Sequence, residues 1–158
     1  MGLVNPYLQQ YQKNHVETAT PEKILILLYD GAIQFLNKAK IAIAEGTTEQ
    51  VHNNIISCEN IILEFMGTLN MKEGGALSKN LYNLYEYLYN TLVTANFNKD
   101  IKKIDEVLGH LKGLRETWQK AIDIAGSERK KEEDQRKLNR DNSDSDDEEG
   151  DDEDGDWA

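Results

Sequence analysis

Four stretches of this chain repeat apolar residues at steps of three and four, and short polar links join the stretches. That spacing matches the 3.6-residue turn of an α-helix, so each stretch predicts a helix with one apolar face. Short links force consecutive helices to fold back on each other. The sequence therefore predicts an all-α fold, an antiparallel up-down-up-down four-helix bundle, because no stretch has the period of two that a half-buried β-strand needs.

The ends of the first two helices carry residues typical of helix termini. Thr20 can cap a helix with Pro21 in its first turn, and Gly46 can end that helix in a left-handed conformation. Thr47 and Gln50, three residues apart, predict a capping box for the second helix. The four predicted core seams are Leu25, Leu28, Ala32, Leu36, Ala39 and Ile43; Val51, Ile55, Cys58, Ile62, Phe65 and Leu69; Leu77, Leu81, Leu84, Leu88, Leu92 and Ala95; and Ile101, Ile104, Leu108, Leu111, Trp118, Ile122 and Ala125.

Charge is distributed unevenly along the chain. Eleven of its 29 acidic residues lie between Asp141 and Asp156, where no basic residue occurs, and the other 18 balance the 18 basic residues of positions 1–140. A face that binds nucleic acid needs an excess of lysine and arginine, so we expect no nucleic-acid partner. The acidic tail cannot bury enough apolar surface to fold, and its like charges repel, so we expect it to be disordered.

These patterns divide the chain into four segments. Residues 1–20 form a loose N-terminal strap, and residues 21–126 form the bundle. Residues 127–140 are a charged extension of the last helix or a linker, and residues 141–158 are the disordered acidic tail. No apolar run approaches the length of about 20 residues that a membrane-spanning helix needs, and no signal peptide is evident, so we expect a cytoplasmic protein without membrane insertion.

Catalytic and metal-binding patterns are sparse. Glu49 and His52 form one Glu-x-x-His pair, whereas the di-iron sites of helical bundles use two such pairs. Cys58 is the single cysteine, which excludes a disulfide framework, and its place on a core seam is typical of a small buried side chain. Nothing places a serine, a histidine and an acid as a triad. We therefore expect no metal, no cofactor and no enzymatic activity.

The helices carry more apolar residues than one seam each requires. Some of the additional residues widen the core, because helices of globular proteins usually bury a broad face. The remainder would line grooves on the surface, which is typical of a partner-binding site. The additional positions are Ile24, Ile26, Leu27, Tyr29 and Ile33; Ile56, Leu63 and Met66; Tyr82, Tyr85 and Tyr89; and Val107, Leu114, Ala121 and Ile124.

Two features of the later helices have more than one interpretation. Gly109 and Gly113 lie four apart inside the fourth helix, where each costs about 1 kcal/mol relative to alanine. We expect either a neighbouring helix of the bundle or a guest helix to approach that backbone closely. The row of Tyr82, Tyr85 and Tyr89 suits a core edge or an interface, because tyrosine combines an apolar ring with a hydroxyl that favours a wet boundary.

The N-terminal third of the chain contains a distinctive string of motifs. Three elements stand out, NPYxxxY at Asn5–Tyr11, TATPEK at Thr18–Lys23 and LLYDGAI at Leu27–Ile33. With these elements in matching order, and over about residues 5–125, the chain resembles the FliS family of flagellar secretion chaperones. A looser likeness continues through Tyr85, Leu88, Ala95-Asn96, Glu106-Val107 and Leu114-Arg115-x-x-Trp118. The acidic tail falls outside it.

This resemblance implies a cytoplasmic, non-enzymatic chaperone. Its client would be the disordered C-terminal segment of flagellin, held in apolar surface grooves so that subunits do not polymerise early and stay competent for type III export. In the family the first residues can lie over the guest groove, so Tyr7 and Tyr11 would form a movable cover. The implied client-binding residues are Tyr7, Tyr11, Ile26, Tyr29, Ile33, Ile56, Leu63, Met66, Tyr82, Tyr85, Tyr89, Val107, Gly109, Gly113 and Leu114.

Two other hypotheses stay open at this point. The grooves could serve self-association, with the glycine pair and the tyrosine row forming a symmetric dimer face of a scaffold bundle. The bundle could also hold a carboxylate-bridged metal pair, in which Glu49 would take part. We expect a monomer or a weak homodimer, and the flagellar export apparatus is a candidate second partner.

Overall fold

The computed structural model describes residues 20–147, and residues 1–19 and 148–158 lie outside the described part of the chain. Predictions for Tyr7 and Tyr11, for the strap before Thr20 and for the end of the acidic tail therefore fall outside it. The described residues form four α-helices, α1 (Pro21–Glu45), α2 (Thr48–Thr68), α3 (Gly75–Asn98) and α4 (Ile101–Asp147). None of residues 20–147 lies in a β-strand. The predicted all-helical fold is confirmed.

The termini of α1 follow the sequence prediction, whereas the start of α2 does not. The Thr20 hydroxyl accepts a hydrogen bond from the Lys23 amide at 3.3 Å, and Gly46 ends α1 with φ +75°. The predicted capping box at Thr47 is wrong. Its hydroxyl donates to the Ala42 carbonyl at 3.3 Å instead of accepting from α2, because the free carbonyls at the end of α1 compete for the same group.

Side-chain contacts show that neighbouring helices run antiparallel. Between α1 and α4, Lys40 pairs with Asp105 at 2.6 Å, and Asp30 pairs with Arg115. Between α2 and α3, one pair joins His52 to Asn96, and a second brings the rings of Phe65 and Tyr85 to 5.4 Å. In both helix pairs the residue number rises on one helix as it falls on the other. This is the up-down-up-down order that the short links predict.

The core confirms the predicted seam of α2 but corrects the seam of α1. Val51, Ile55, Cys58, Ile62 and Phe65 are buried, as predicted. Leu69, the last predicted seam residue, lies just past the end of α2 and is half-buried. On α1 the prediction placed Ile26 and Tyr29 beside the seam, whereas the structure buries both. The buried face of α1 is Ile26, Tyr29, Ala32, Leu36, Ala39 and Ala42, with Leu25, Leu28 and Ile43 half-buried at its edges.

The later helices show similar shifts. On α3, Leu77 is 64% exposed although the prediction placed it on the seam, and Tyr85 is buried. On α4, Val107 is fully buried between the predicted seam positions Ile104 and Leu108. These shifts have one cause. The buried face of a globular helix is wider than a single line of residues, and the neighbouring helices decide which edge of it turns inward.

The described chain divides into two compact units at the junction of Trp118 and Gln119, inside α4. The first unit contains α1, α2, α3 and the start of α4. In the second unit no residue of 119–145 is buried, and side chains bond to groups three or four residues away, as between Gln135 and Asn139 at 3.1 Å. The helix continues through residues 127–140, the predicted charged extension, and through residues 141–147, where the sequence predicted disorder.

Candidate client-binding site

A hydrogen-bonded cluster at the centre of the first unit accounts for two of the proposed tyrosines. The hydroxyls of Tyr29 and Tyr85 lie 2.6 Å apart, and the Trp118 indole N–H donates to the Tyr29 hydroxyl at 3.2 Å. The Tyr29 ring stacks on Phe65 with centroids 4.4 Å apart. Burial is the main reason why the pKa values of both hydroxyls lie above the usual value for tyrosine. Tyr29 and Tyr85 therefore organise the core and do not face solvent.

The proposed site residues separate into groups by exposure. Ile26, Tyr29, Tyr85 and Val107 are buried in the core. Six others are partly buried or half-exposed, and four of these pack against the edge of the core. The six are Ile33, Ile56, Met66, Tyr82, Tyr89 and Leu114. Leu63, which is 45% exposed, and the two glycines of α4 are open to solvent. The accessible members are the ones that a client could contact.

Several accessible members border the groove between α2 and α3. Helix periodicity places Ile56 and Leu63 on the same side of α2 as His52. His52 contacts Asn96 of α3, so this side of α2 faces α3. By the same periodicity, Tyr82, Tyr89 and Val93 share the side of α3 that includes Asn96. The sides of α2 and α3 that carry Ile56, Leu63, Tyr82 and Tyr89 therefore face each other, and we call the surface between them the α2–α3 groove.

The groove ends in a pocket that the sequence analysis missed. Its volume is about 410 Å³, and it is lined by His52, Val93, Asn96, Phe97 and Lys99. Phe97 is 89% exposed and Val93 is 47% exposed, so the pocket presents apolar surface to solvent. The sequence analysis assigned no role to Phe97. Phe97 follows Val93 by four residues, and this helical spacing could have placed it on the same exposed side of α3.

The polar groups of this pocket have defined roles. The Lys99 ammonium donates to the Asn96 side-chain oxygen at 2.7 Å, which leaves the Asn96 amide nitrogen facing His52 Nδ1 at 2.9 Å. Because that nitrogen is a donor, His52 Nδ1 must accept, and the proton of the neutral ring is on Nε2. Asn96 therefore orients both the lysine and the histidine.

One buried acid lies farther along the same side of α2. Glu59 is only 4% exposed, and burial raises the pKa of its carboxyl. Glu59 follows His52 by seven residues, about 10 Å along the helix axis. It is not among the residues that line the pocket. The predicted core seam of α2 did not include Glu59, because a charged residue is rarely buried.

The glycine pair of α4 has no close neighbour among the described residues. Gly109 and Gly113 are exposed, and a Cβ added to either would meet no described atom within 4 Å. The alternative in which a neighbouring helix of the bundle packs on these glycines is therefore wrong. Their role as a floor for a guest helix stays a prediction.

Asp30 and Arg115, which interrupt apolar stretches of the sequence, form a pair in the structure. The guanidinium donates to both carboxylate oxygens, with the Nη2 to Oδ2 distance at 3.3 Å. The hydrogen bond to Asp30 raises the pKa of Arg115 above its ordinary value. Both side chains keep more than a third of their area exposed, so the pair joins α1 to α4 at the surface.

No metal-binding cluster occurs in the part of the chain that the structure describes. No group of three or more histidine, cysteine, aspartate or glutamate side chains could hold a metal ion there. Cys58 is fully buried, and burial raises the pKa of its thiol to about 12, which keeps the thiol protonated and unreactive. None of the described helices combines the length and hydropathy needed to cross a membrane.

Comparison with known proteins gives a consistent result. The family model described as flagellar protein FliS matches residues 3–125. The flagellar secretion chaperone FliS of Bacillus subtilis is 38% identical over 130 residues, which cover 82% of this chain and 93% of that protein. The protein of the same name from Vibrio cholerae is 30% identical over 115 residues, covering 70% of this chain and 85% of that protein.

A solved structure gives the same fold. The crystal structure of a bacterial flagellar chaperone superposes with a TM-score of 0.62 at 22% identity, covering 75% of this chain and 99% of that chain. At this identity the match supports the fold alone. The family model ends at residue 125, so the distal part of α4 and the acidic tail lie beyond the matched region.

Proposed function

Because this chain belongs to the FliS family of flagellar secretion chaperones, a non-enzymatic class, we propose that its client is flagellin. It binds the disordered C-terminal segment of flagellin in the cytoplasm. Bound client cannot polymerise early and stays competent for type III export. The observation that carries this proposal is the groove between α2 and α3, where apolar side chains from both helices remain exposed. Its occupied form would have a short amphipathic helix of the client lying along it.

The energetics favour an extended contact. A disordered segment that folds on binding loses conformational entropy worth about 2 to 5 kcal/mol. At about 25 cal/mol per Å², roughly 200 Å² of buried apolar surface offsets the upper value. Losses of translational and rotational freedom add to the cost, so the client needs several such contacts. A groove with several half-exposed apolar side chains supplies them without one deep pocket.

The experiment that tests this proposal is a titration of the flagellin C-terminal segment into the full chain. We expect heat of binding in calorimetry and a gain of helical signal in circular dichroism beyond the sum of the free components. Tyr82→Ala should weaken binding and leave the thermal unfolding of the chaperone unchanged, since this ring is half-buried at the surface. Absence of both heat and helix gain with the wild-type chain would refute the proposal.

Size measurements address the oligomeric state. We propose a monomer or a weak homodimer whose self-association uses the same apolar surface. Sedimentation with and without the flagellin segment should then show that the client competes with dimer formation. A dimer that persists at saturating client would place self-association on another surface. The export apparatus is a further proposed partner, and Tyr7 and Tyr11 remain the proposed cover of the groove.

A further inference from the structure

The pocket at the end of the α2–α3 groove contains hydrogen-bond donors without acceptors. Lys99 donates to the Asn96 oxygen, which uses one of its three ammonium protons, and it forms no salt bridge with any residue of 20–147. His52 carries its proton on Nε2, and no hydrogen bond within the same range involves that atom. Two residues that carry these donors, Lys99 and His52, therefore line the pocket together with Asn96 and the apolar side chains of Val93 and Phe97.

The carboxylate next to Lys99 in the sequence is engaged elsewhere. Asp100 accepts hydrogen bonds from the amides of Lys102 and Lys103 at 3.0 and 3.4 Å, which cap the first turn of α4. Glu59, about 10 Å along α2, does not line the pocket. Thus no described residue around them accepts a hydrogen bond from the remaining ammonium protons of Lys99 or from Nε2 of His52.

The backbone at Lys99 adds an independent observation. Lys99 ends α3 with φ +51°, the left-handed conformation, and it is the single non-glycine residue of the described chain with positive φ. Glycine or asparagine usually occupies this position, because a Cβ there is strained. Strained conformations of this kind cluster at functional sites. Lys99 thus keeps a side chain at a position where glycine would carry no strain.

We propose that this pocket is the end subsite of the α2–α3 groove and binds a carboxylate side chain of the client together with an adjacent apolar side chain. Lys99 and His52 donate to the carboxylate, and Phe97 and Val93 contact the apolar neighbour. The occupant is the flagellin segment, so this inference rests on the proposed function. We choose this occupant for two reasons. The positive charge of Lys99 favours a carboxylate, and the pocket is continuous with the groove that we propose for the client.

Lys99→Gly separates binding from stability. The substitution removes the ammonium group and relieves the strained backbone, so the melting temperature of the chain should stay within about 3 °C of wild type. Affinity for the flagellin C-terminal segment should fall about tenfold, which is the loss expected for one charge-assisted hydrogen bond at a partly exposed site. Lys99→Arg should retain most of the affinity. Lys38→Gln, which removes an exposed lysine of α1, is the matched control and should leave affinity unchanged.

A scan of the client identifies the carboxylate. Each aspartate and glutamate of the flagellin segment is replaced singly by asparagine or glutamine and titrated into wild-type and Lys99→Gly chains. We expect one replacement to cost about tenfold with wild type and nothing further with Lys99→Gly, because the two changes remove the same contact. The proposal is overturned if Lys99→Gly binds as wild type, or if no replacement is coupled to it.

These outcomes also distinguish the two proposals. If Lys99→Gly binds as wild type while Tyr82→Ala is weakened, the groove binds the client and the carboxylate subsite is refuted. If the wild-type chain binds no flagellin segment, the proposed function fails, and the subsite fails with it. Tenfold losses in Lys99→Gly and in Lys38→Gln alike would indicate a general charge effect and would also refute the subsite.

Discussion

The pair of tyrosine hydroxyls in the core allows a quantitative test of the packing. In Tyr29→Phe, the Tyr85 hydroxyl loses the partner that lies 2.6 Å away, and the Tyr85 side chain is almost fully buried. A buried polar group without a partner costs about 1 to 3 kcal/mol. The Trp118 N–H also loses its acceptor, but Trp118 is half-buried and its indole can reach water. We therefore expect Tyr29→Phe to lower the free energy of unfolding by about 2 kcal/mol.

The double variant makes this test specific. Tyr29→Phe with Tyr85→Phe removes both hydroxyls, so neither is left buried without a partner. Its loss of unfolding free energy should be smaller than the sum of the two single losses by at least about 1 kcal/mol. Tyr87→Phe is the control, because its hydroxyl bonds Glu106 at the surface, and it should change stability by less than about 0.5 kcal/mol.

Urea unfolding followed by circular dichroism measures all four variants, with the slope of free energy against urea compared among them. Equal slopes allow the free energies to be compared directly. Additive losses in the double variant would mean that the two hydroxyls do not interact in solution. That result would refute the described arrangement of the core around Tyr29.

Two further predictions follow from the core and from α4. Cys58 keeps its proton in the folded chain up to a pKa of about 12, against an ordinary value of 9.0, so between these values the unfolded state loses a proton that the folded state retains. The free energy of unfolding should therefore fall by about 1.4 kcal/mol per pH unit above pH 9. Urea unfolding at pH 8 to 11 measures this fall, and Cys58→Ala should remove the part of it that comes from the thiol. An identical dependence of stability on pH in the variant would contradict the raised pKa of Cys58. Gly109→Ala with Gly113→Ala should raise stability by about 1 kcal/mol per site, because neither new methyl group meets a described atom. If the glycines are the floor of a guest site, the same double variant should also bind the flagellin segment more weakly, and unchanged binding in calorimetry would exclude that role.

The sequence predicted the architecture well because the responsible signals are local. The periodic seams, Thr20, Pro21 and Gly46 determine where helices begin and end, and short links determine their direction. The choice of core edge is not local. Tyr29 turns inward because Tyr85 and Trp118, from two other helices, supply partners for its hydroxyl, and no spacing within α1 reveals those partners.

The accessible apolar residues were predicted in part for the same reason. Leu63 and Tyr82 lie at the surface because they fall at the outer edge of a wide apolar face, and periodicity detects such residues. The end pocket depends on Lys99 and His52, which are 47 residues apart in the sequence, meeting through Asn96. A tertiary arrangement of polar groups leaves no periodic signal.

The central claim is that the client lies in the groove between α2 and α3. The most direct measurement is a calorimetric titration of the flagellin C-terminal segment into two variants, Leu63→Lys and Ile41→Lys. Both replace exposed apolar residues, at 45% and 59% exposure. Leu63 borders the groove, whereas Ile41 lies on α1. A charge in the groove would displace apolar contact and lose its own hydration, so Leu63→Lys should weaken binding at least about tenfold and Ile41→Lys should bind as wild type. Equal affinities for the two variants would contradict the account.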